Sequence, residues 1–173
     1  MSISVRRIRA DEWAEVRALR LRALQDPAAG IAFLDTFENA SAQPDGFWQA
    51  RTTGGAEDED AAQFVAVSSE GEWIGSLTVL HAGSAARAAL VVGVYVAPEG
   101  RGRGAIDALF DAAAAWSVAT GSIRLRLEVH VENARARAAY ERNGFVLTGE
   151  LVESSAGTDQ VMVRPIGAST PAG

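Results

Sequence analysis

The stretch YVAPEGRGRGAIDAL, Tyr95 to Leu109, sets three glycines and two arginines between an apolar run and an alanine-rich segment. Upstream, ALVVGVYVA (89–97) is apolar enough for a strand buried on both faces. Downstream, GAIDALFDAAAAWSVATG reads as a helix that stops at Gly121. The next segment, SIRLRLEVHVE, alternates strictly. Ile123, Leu125, Leu127, Val129 and Val131 share one face, with Arg124, Arg126, Glu128, His130 and Glu132 on the other. Strand, glycine-rich loop, helix and strand make one crossover, and a mixed α/β fold follows from it. The loop admits two readings. Helix-start N–H groups are unpaired and lie at the positive end of the helix dipole, so they can hold a phosphate, with Arg101 and Arg103 adding directional donors. Pro98 and the glycines would equally serve a bare strand-to-helix turn.

Working outward, SISVRRI (2–8) reads as a short strand, followed by a helix with Trp13, Val16, Leu19 and Ala23 at helical spacing and Asp11 as its cap. Residues 31–53 suggest packed irregular structure around Phe33, Phe37, Phe47 and Trp48, with a second helix from about Pro44. TGGAEDEDAA (53–62) is a loop by composition. QFVAVSS and EWIGSLTVLHA, joined at Glu70-Gly71, read as a hairpin, and GSAARA links it to the apolar strand. After the crossover come a short helix, capped by Asn133 and ended by Asn143-Gly144, and two strands near 145–152 and 160–166. The order β-α-α-β-β-β-α-β-α-β-β describes one domain over 1–166, with 167–173 as a flexible tail.

Composition narrows the chemistry. The 173 residues contain no cysteine, which removes disulfides, thiolate metal sites and a cysteine nucleophile. With only His81 and His130, a metal site would need an unusual carboxylate-rich set, so no metal is expected. All 16 basic residues are arginine, so a Walker A lysine and a Schiff-base lysine are both excluded. A net charge of −6 argues against nucleic acid as partner. With no long apolar run and no apolar signal core at the N-terminus, the expectation is a cytoplasmic protein that binds no membrane.

Nucleotide readings of the loop fit poorly. A dinucleotide fingerprint fails from Gly102, where Asp107 stands in the last place, and fits from Gly100 only in its looser form, with Gly102 and Ala105. It also follows four predicted strands instead of opening the domain.

V-x-P-E-x-R-G-x-G (Val96 to Gly104) and N-x-x-A-x-x-x-Y-x-R-x-G-F (Asn133 to Phe145) lie in order, about thirty residues apart. Together they resemble two motifs of the GNAT superfamily of N-acetyltransferases, and the element order over roughly 2–166 is similar too. The resemblance implies a central mixed, mostly antiparallel sheet, splayed at an acetyl-CoA loop and flanked by about four helices. It implies acetyl-CoA as co-substrate, held by Arg101, Gly102, Arg103, Gly104, Ala105 and Ile106 at the loop. The backbone of Val94 and Val96 would meet the pantetheine arm, and Asn133 the CoA arm. Ile106 departs from the family, which prefers glycine or alanine there. If its side chain points into the core, the cradle survives. Asparagine is a favoured helix cap whatever the function, so Asn133 has a purely structural reading as well.

Without a cysteine or a serine–histidine arrangement, direct attack of an amine on the thioester is the simpler route, and the resemblance implies it. A lysine-like amine must lose its proton first, at roughly 4 kcal/mol for about three pH units. Tyr140, two helical turns after Asn133, is the candidate donor to the departing thiolate. The base is open. Glu128 takes the role by resemblance, an ion pair with Arg126 or Arg124 is its structural reading, and His130 or a water relay are alternatives. The acceptor would be a small-molecule or peptide amine. The acids Glu57 to Asp60 could attract a cationic one, and Trp13, Trp48 and Trp73 could line its pocket or simply fill the core. A non-catalytic acyl-CoA-binding or interaction domain is the alternative on the same fold, and two copies could pair along a late strand edge.

Overall fold

The computed structural model describes residues 2–81 and 87–167. Most of the GSAARA link, and the expected tail beyond Gly167, lie outside the described residues. A seven-stranded sheet runs in the order β1-β2-β3-β4-β5-β7-β6. Its strands are β1 (Ile3–Arg7), β2 (Ala61–Ser68), β3 (Trp73–His81), β4 (Ala88–Val96), β5 (Arg124–His130), β6 (Val146–Ser154) and β7 (Gly157–Pro165). All neighbours are antiparallel except β4 and β5. The helices are α1 (Trp13–Leu24), α2 (Ala29–Ala32), α3 (Phe37–Ser41), α4 (Asp45–Glu57), α5 (Ala105–Ala119) and α6 (Ala134–Arg142).

The four expected helices are present as α1, α4, α5 and α6. The stretch read as irregular holds two further short ones, α2 and α3, too brief to show a helical period. α1 starts at Trp13 without Asp11 as its cap. Glu12 occupies the cap position, and its carboxylate accepts two bonds from Arg6 at 2.9 and 2.6 Å. α4 runs on through Gly54-Gly55 to Glu57, where composition suggested a loop. Packing overrides the propensity: a Cβ on Gly55 would lie 2.9 Å from Gln63 Cβ, so only glycine lets α4 approach β2 this closely.

The two faces of the sheet carry different layers. α5 packs on one face over Leu77, Val79, Leu125 and Leu127, with Leu109 and Phe110 fully buried beneath it. α1 and α4 cover the other face, around Trp48, Val16 and Val65. Trp48 is 1 % exposed, and Trp13 and Trp73 pack against the same cluster, so the tryptophans fill the core. At the far edge, β6 leaves Val146, Leu147 and Leu151 exposed.

The decisive departure from a regular sheet lies between β4 and β5. They pair only over Ala88–Leu90 and Arg124–Arg126. Beyond Leu90, β4 stays with β3 while β5 stays with β7 as far as His130. A bulge helps to part them. The register with β3 shifts between Ser76 and Thr78, and Gly93 sits opposite the shift at φ +62. The second half of β4 is therefore not buried on both faces. It borders an opening, and Val92 is exposed there.

Candidate functional site

The opening between the diverging strands is a groove of about 420 Å³. It runs from the start of α5, through the gap bounded by Val91–Val96 and Leu127–His130, to the α2 segment on the opposite face. Of the residues the sequence nominated, Val94, Val96, Arg101, Gly102, Gly104, Ala105, Ile106, Glu128, Asn133 and Tyr140 all line it. Arg103 does not.

The loop is shaped by glycine backbone. Gly102 (φ +70) and Gly104 (φ +82) occupy the left-handed region, and Gly104 caps α5. No neighbouring heavy atom stands within 4 Å of where their Cβ atoms would be. The helix start, with its unpaired amides, thus meets the groove unshielded by side chains. Ile106 packs against the core cluster under α5 while bordering the groove.

Arg101 has other work. Its Nε donates to Val96 O at 3.0 Å and its Nη2 to Asp26 Oδ2 at 2.5 Å. Asp26 Oδ1 accepts from the Ala28 amide at 3.0 Å. Burial would raise the Asp26 pKa, but the Ala28 amide and Arg101 outweigh it and hold the carboxyl below its ordinary value. The ion pair pins the loop to the corner between α1 and α2. Arg135 and Arg142 on α6 also line the groove; Arg142 is the arginine of the second motif, and Arg135 was not singled out from the sequence.

Backbone direction follows from pairing. The Ala97 amide donates to Ile74 O of the β3 side, so the backbone groups of Val96, the next residue along the strand, turn away from β3. The Val96 carbonyl is taken by Arg101, and Val94 lines the opening.

Tyr140 is 8 % exposed and packs edge-on to Phe110, with ring centroids 5.7 Å apart. Among the described residues no group hydrogen-bonds its hydroxyl. Burial pushes its pKa up to about 12, so the phenol is a neutral donor at any ordinary pH. Asn133 Oδ1 accepts from the Ala136 amide at 3.3 Å, which makes it the α6 cap as well as a groove residue.

Glu128 lies exposed on the polar face of β5, 3.6 Å from Arg126, whose closer partner is Glu150 at 2.9 Å. His130 is not free to act as base. The Glu132 amide donates to Nδ1 at 3.2 Å, so Nε2 carries the proton and donates to Ala156 O at 2.9 Å. A Cβ on Gly157 would stand 2.7 Å from Nε2, so the β6–β7 turn is built around this ring. The acids Glu57 to Asp60 line no part of the groove. Among the described residues there is no cluster of acids and histidines fit for a metal ion, and no helix long and apolar enough to cross a membrane.

A family model described as acetyltransferase (GNAT) family matches residues 13–145. Among curated proteins none matches the sequence. Of the similar solved structures, a GNAT-family acetyltransferase from Streptococcus pneumoniae superposes with a TM-score of 0.79 at 16% identity, over 96% of this chain and 100% of that one. A phosphinothricin acetyltransferase from Sinorhizobium meliloti, in complex with acetyl-CoA, gives 0.76 at 18% identity, over 100% and 93%. Spermidine N-acetyltransferase from Vibrio cholerae, in complex with CoA and spermine, gives 0.73 at 19% identity, over 95% of each chain. At these identities the likeness is one of fold.

Proposed function

The chain belongs to the acetyltransferase (GNAT) family and is an N-acetyltransferase, and from that premise we propose that it passes the acetyl group of acetyl-CoA directly to the amine of a small molecule. One observation carries the reading. The glycine loop at the α5 start and the buried phenol of Tyr140 line the same groove, and that groove passes through the sheet. In this proposal the pyrophosphate meets the amides around Gly102 to Ile106. The pantetheine arm runs along Val94 and Val96 as an added strand would, with the thioester beside Tyr140. Phosphinothricin and spermidine acetyltransferases of this fold support a small-molecule acceptor.

The amine attacks the thioester carbonyl, the C–S bond breaks, and CoA leaves as its thiolate. Tyr140 is the group that meets the thiolate charge. With the phenol near 12 and a thiol near ~8.5, full proton transfer runs uphill by roughly 5 kcal/mol. A hydrogen bond from the phenol is the better use of it. Glu128, open to solvent beside the gap, takes the amine proton through water. The domain that carries all this is proposed as 1–166.

The first experiment is calorimetric titration with acetyl-CoA, with ATP and NAD as controls, followed by thiol release with a panel of amines. Micromolar binding and turnover support the reading. Absence of acetyl-CoA binding overturns it, and binding without turnover of any amine favours a non-catalytic acyl-CoA-binding domain. Glu128→Gln should lower kcat roughly 10²-fold at neutral pH and recover as rising pH frees the amine unaided. A loss that stays constant with pH would remove Glu128 from the base role.

A further inference from the structure

Behind the gap, on the α1 face of the sheet, a second and much smaller pocket of about 20 Å³ is lined by Arg20, Arg51, Gln63, Ser76, Gly93 and Tyr95. Gly93 and Tyr95 are also walls of the large groove, at the bulge where β4 leaves its register with β3. Phe33 joins the two as well. It lines the groove, and the Arg20 guanidinium lies 4.6 Å over its ring.

Arg20 extends from the face of α1 that buries Val16, Leu19 and Ala23, and Arg51 from the face of α4 that buries Trp48, Thr52 and Gly55. Among the described residues neither guanidinium forms an ion pair or a hydrogen bond with a protein acceptor, and Arg20 Nε is buried without a partner. The one carboxylate that acts electrostatically on both is Asp35. It forms no ion pair with either, and its Oδ1 accepts from the Thr36 amide at 2.9 Å and from Asn39 Nδ2 at 2.6 Å. Burial, and then the charge of Arg51, pull the Arg20 pKa down to about 10, so at neutral pH both stay charged against their surroundings. Arg20 is half-buried and Arg51 exposed at the pocket rim, and two adjacent like charges with no ion pair repel each other. The missing partner is a small anion, and planar guanidinium forks suit a carboxylate.

We propose that this pocket receives the carboxylate, or a similarly small oxyanion, of the acceptor, so that the substrate is an amine with an anionic arm. The inference rests on the acetyl transfer proposed above. It places the anion behind Gly93 and the amine in front of it, at the gap. Its volume fits one or two water-sized groups, the scale of the two oxygens of a carboxylate.

The test pairs α- and ω-amino carboxylates, and an aminophosphonate, each with the amine that lacks the anion, and includes spermidine as a polycation. Thiol release is followed at saturating acetyl-CoA. The expected result is a KM lower by roughly tenfold or more for the anionic member of a pair. Arg20→Gln and Arg51→Gln should each remove that advantage through KM more than kcat, with the acetyl-CoA Kd unmoved. Equal kcat/KM within pairs, or a preference for spermidine, overturns the anion assignment and leaves acetyl transfer standing. If acetyl-CoA does not bind, acetyl transfer fails instead, and melting with inorganic phosphate judges the pocket alone. A rise in Tm for wild type that is lost in both variants supports an anion site, and equal shifts in all three overturn it.

Discussion

Tyr140 concentrates the chemistry of the site in one buried phenol, and its packing makes the consequence of removing it specific. Tyr140→Phe keeps the edge contact with Phe110 and deletes only the donor. We expect kcat to fall roughly 10²-fold with little change in the acetyl-CoA Kd. The raised pKa has a sign as well. The folded value, about 12, lies above the ordinary ~10, so stability from the neutral phenol is complete below pH ~10 and is lost as pH rises towards 12. An alkaline melt should therefore be flatter for Tyr140→Phe. Asp26 has the opposite sign. Its folded pKa is depressed, so its contribution is complete above about 3.8 and lost as pH falls through the lower folded value. Asp26→Asn should erase that acid limb, cost about 1–2 kcal/mol and loosen the loop through Arg101, measured as lower Tm and weaker acetyl-CoA binding. The motif residues were legible in the sequence because backbone chemistry dictates them. Asp26 was not, because its role depends on a partner 75 residues away. Arg20 did carry a local signal: it stands at the spacing of Val16 and Ala23, on the buried face of α1, where an arginine is out of place.

Among the elements, the loop into α5 separates two uses of glycine. Gly104 is needed for its φ of +82 and has open space around it. Gly100 is needed for packing, since a Cβ there would lie 3.1 Å from Val96 Cγ1. Gly104→Ala should cost about 1–2 kcal/mol through the left-handed backbone. It should also weaken acetyl-CoA several-fold as the amides shift. An unchanged Kd by calorimetry would mean that these amides do not carry the pyrophosphate. The β4-α5-β5 crossover was readable because three local signals coincide there: an apolar run, a glycine loop and a strict alternation. α4 overran its expected end because Gly55 is tolerated for close packing on β2, and sequence spacing holds no record of that contact. The same holds for β4. Its apolar run predicts burial on both faces, whereas the splay from β5 opens one side, a property of two strands jointly.

For the whole molecule, the groove is a flaw in the sheet that a ligand can mend. β4 and β5 share only three residue pairs, and Val94 lines the gap beyond them. An acyl-CoA arm lying there would restore strand-like contacts across the break and tie α5 to the α2 segment beyond it. Charge favours the same ligand. The chain carries a net −6, yet Arg101, Arg135 and Arg142 line the groove, so the attraction for a polyanion is local. Binding to the folded state alone stabilises it by about 2.7 kcal/mol at a hundredfold excess over Kd. For a chain of this size that is a rise in Tm of roughly 5–11 °C. Melting curves with acetyl-CoA should show it, and added salt should diminish it by screening the arginines. ATP and NAD, which lack the pantetheine arm, should give a much smaller shift at equal concentration. A shift as large with ATP would mean that phosphate contacts dominate and that the gap between β4 and β5 is not where the ligand gains its affinity.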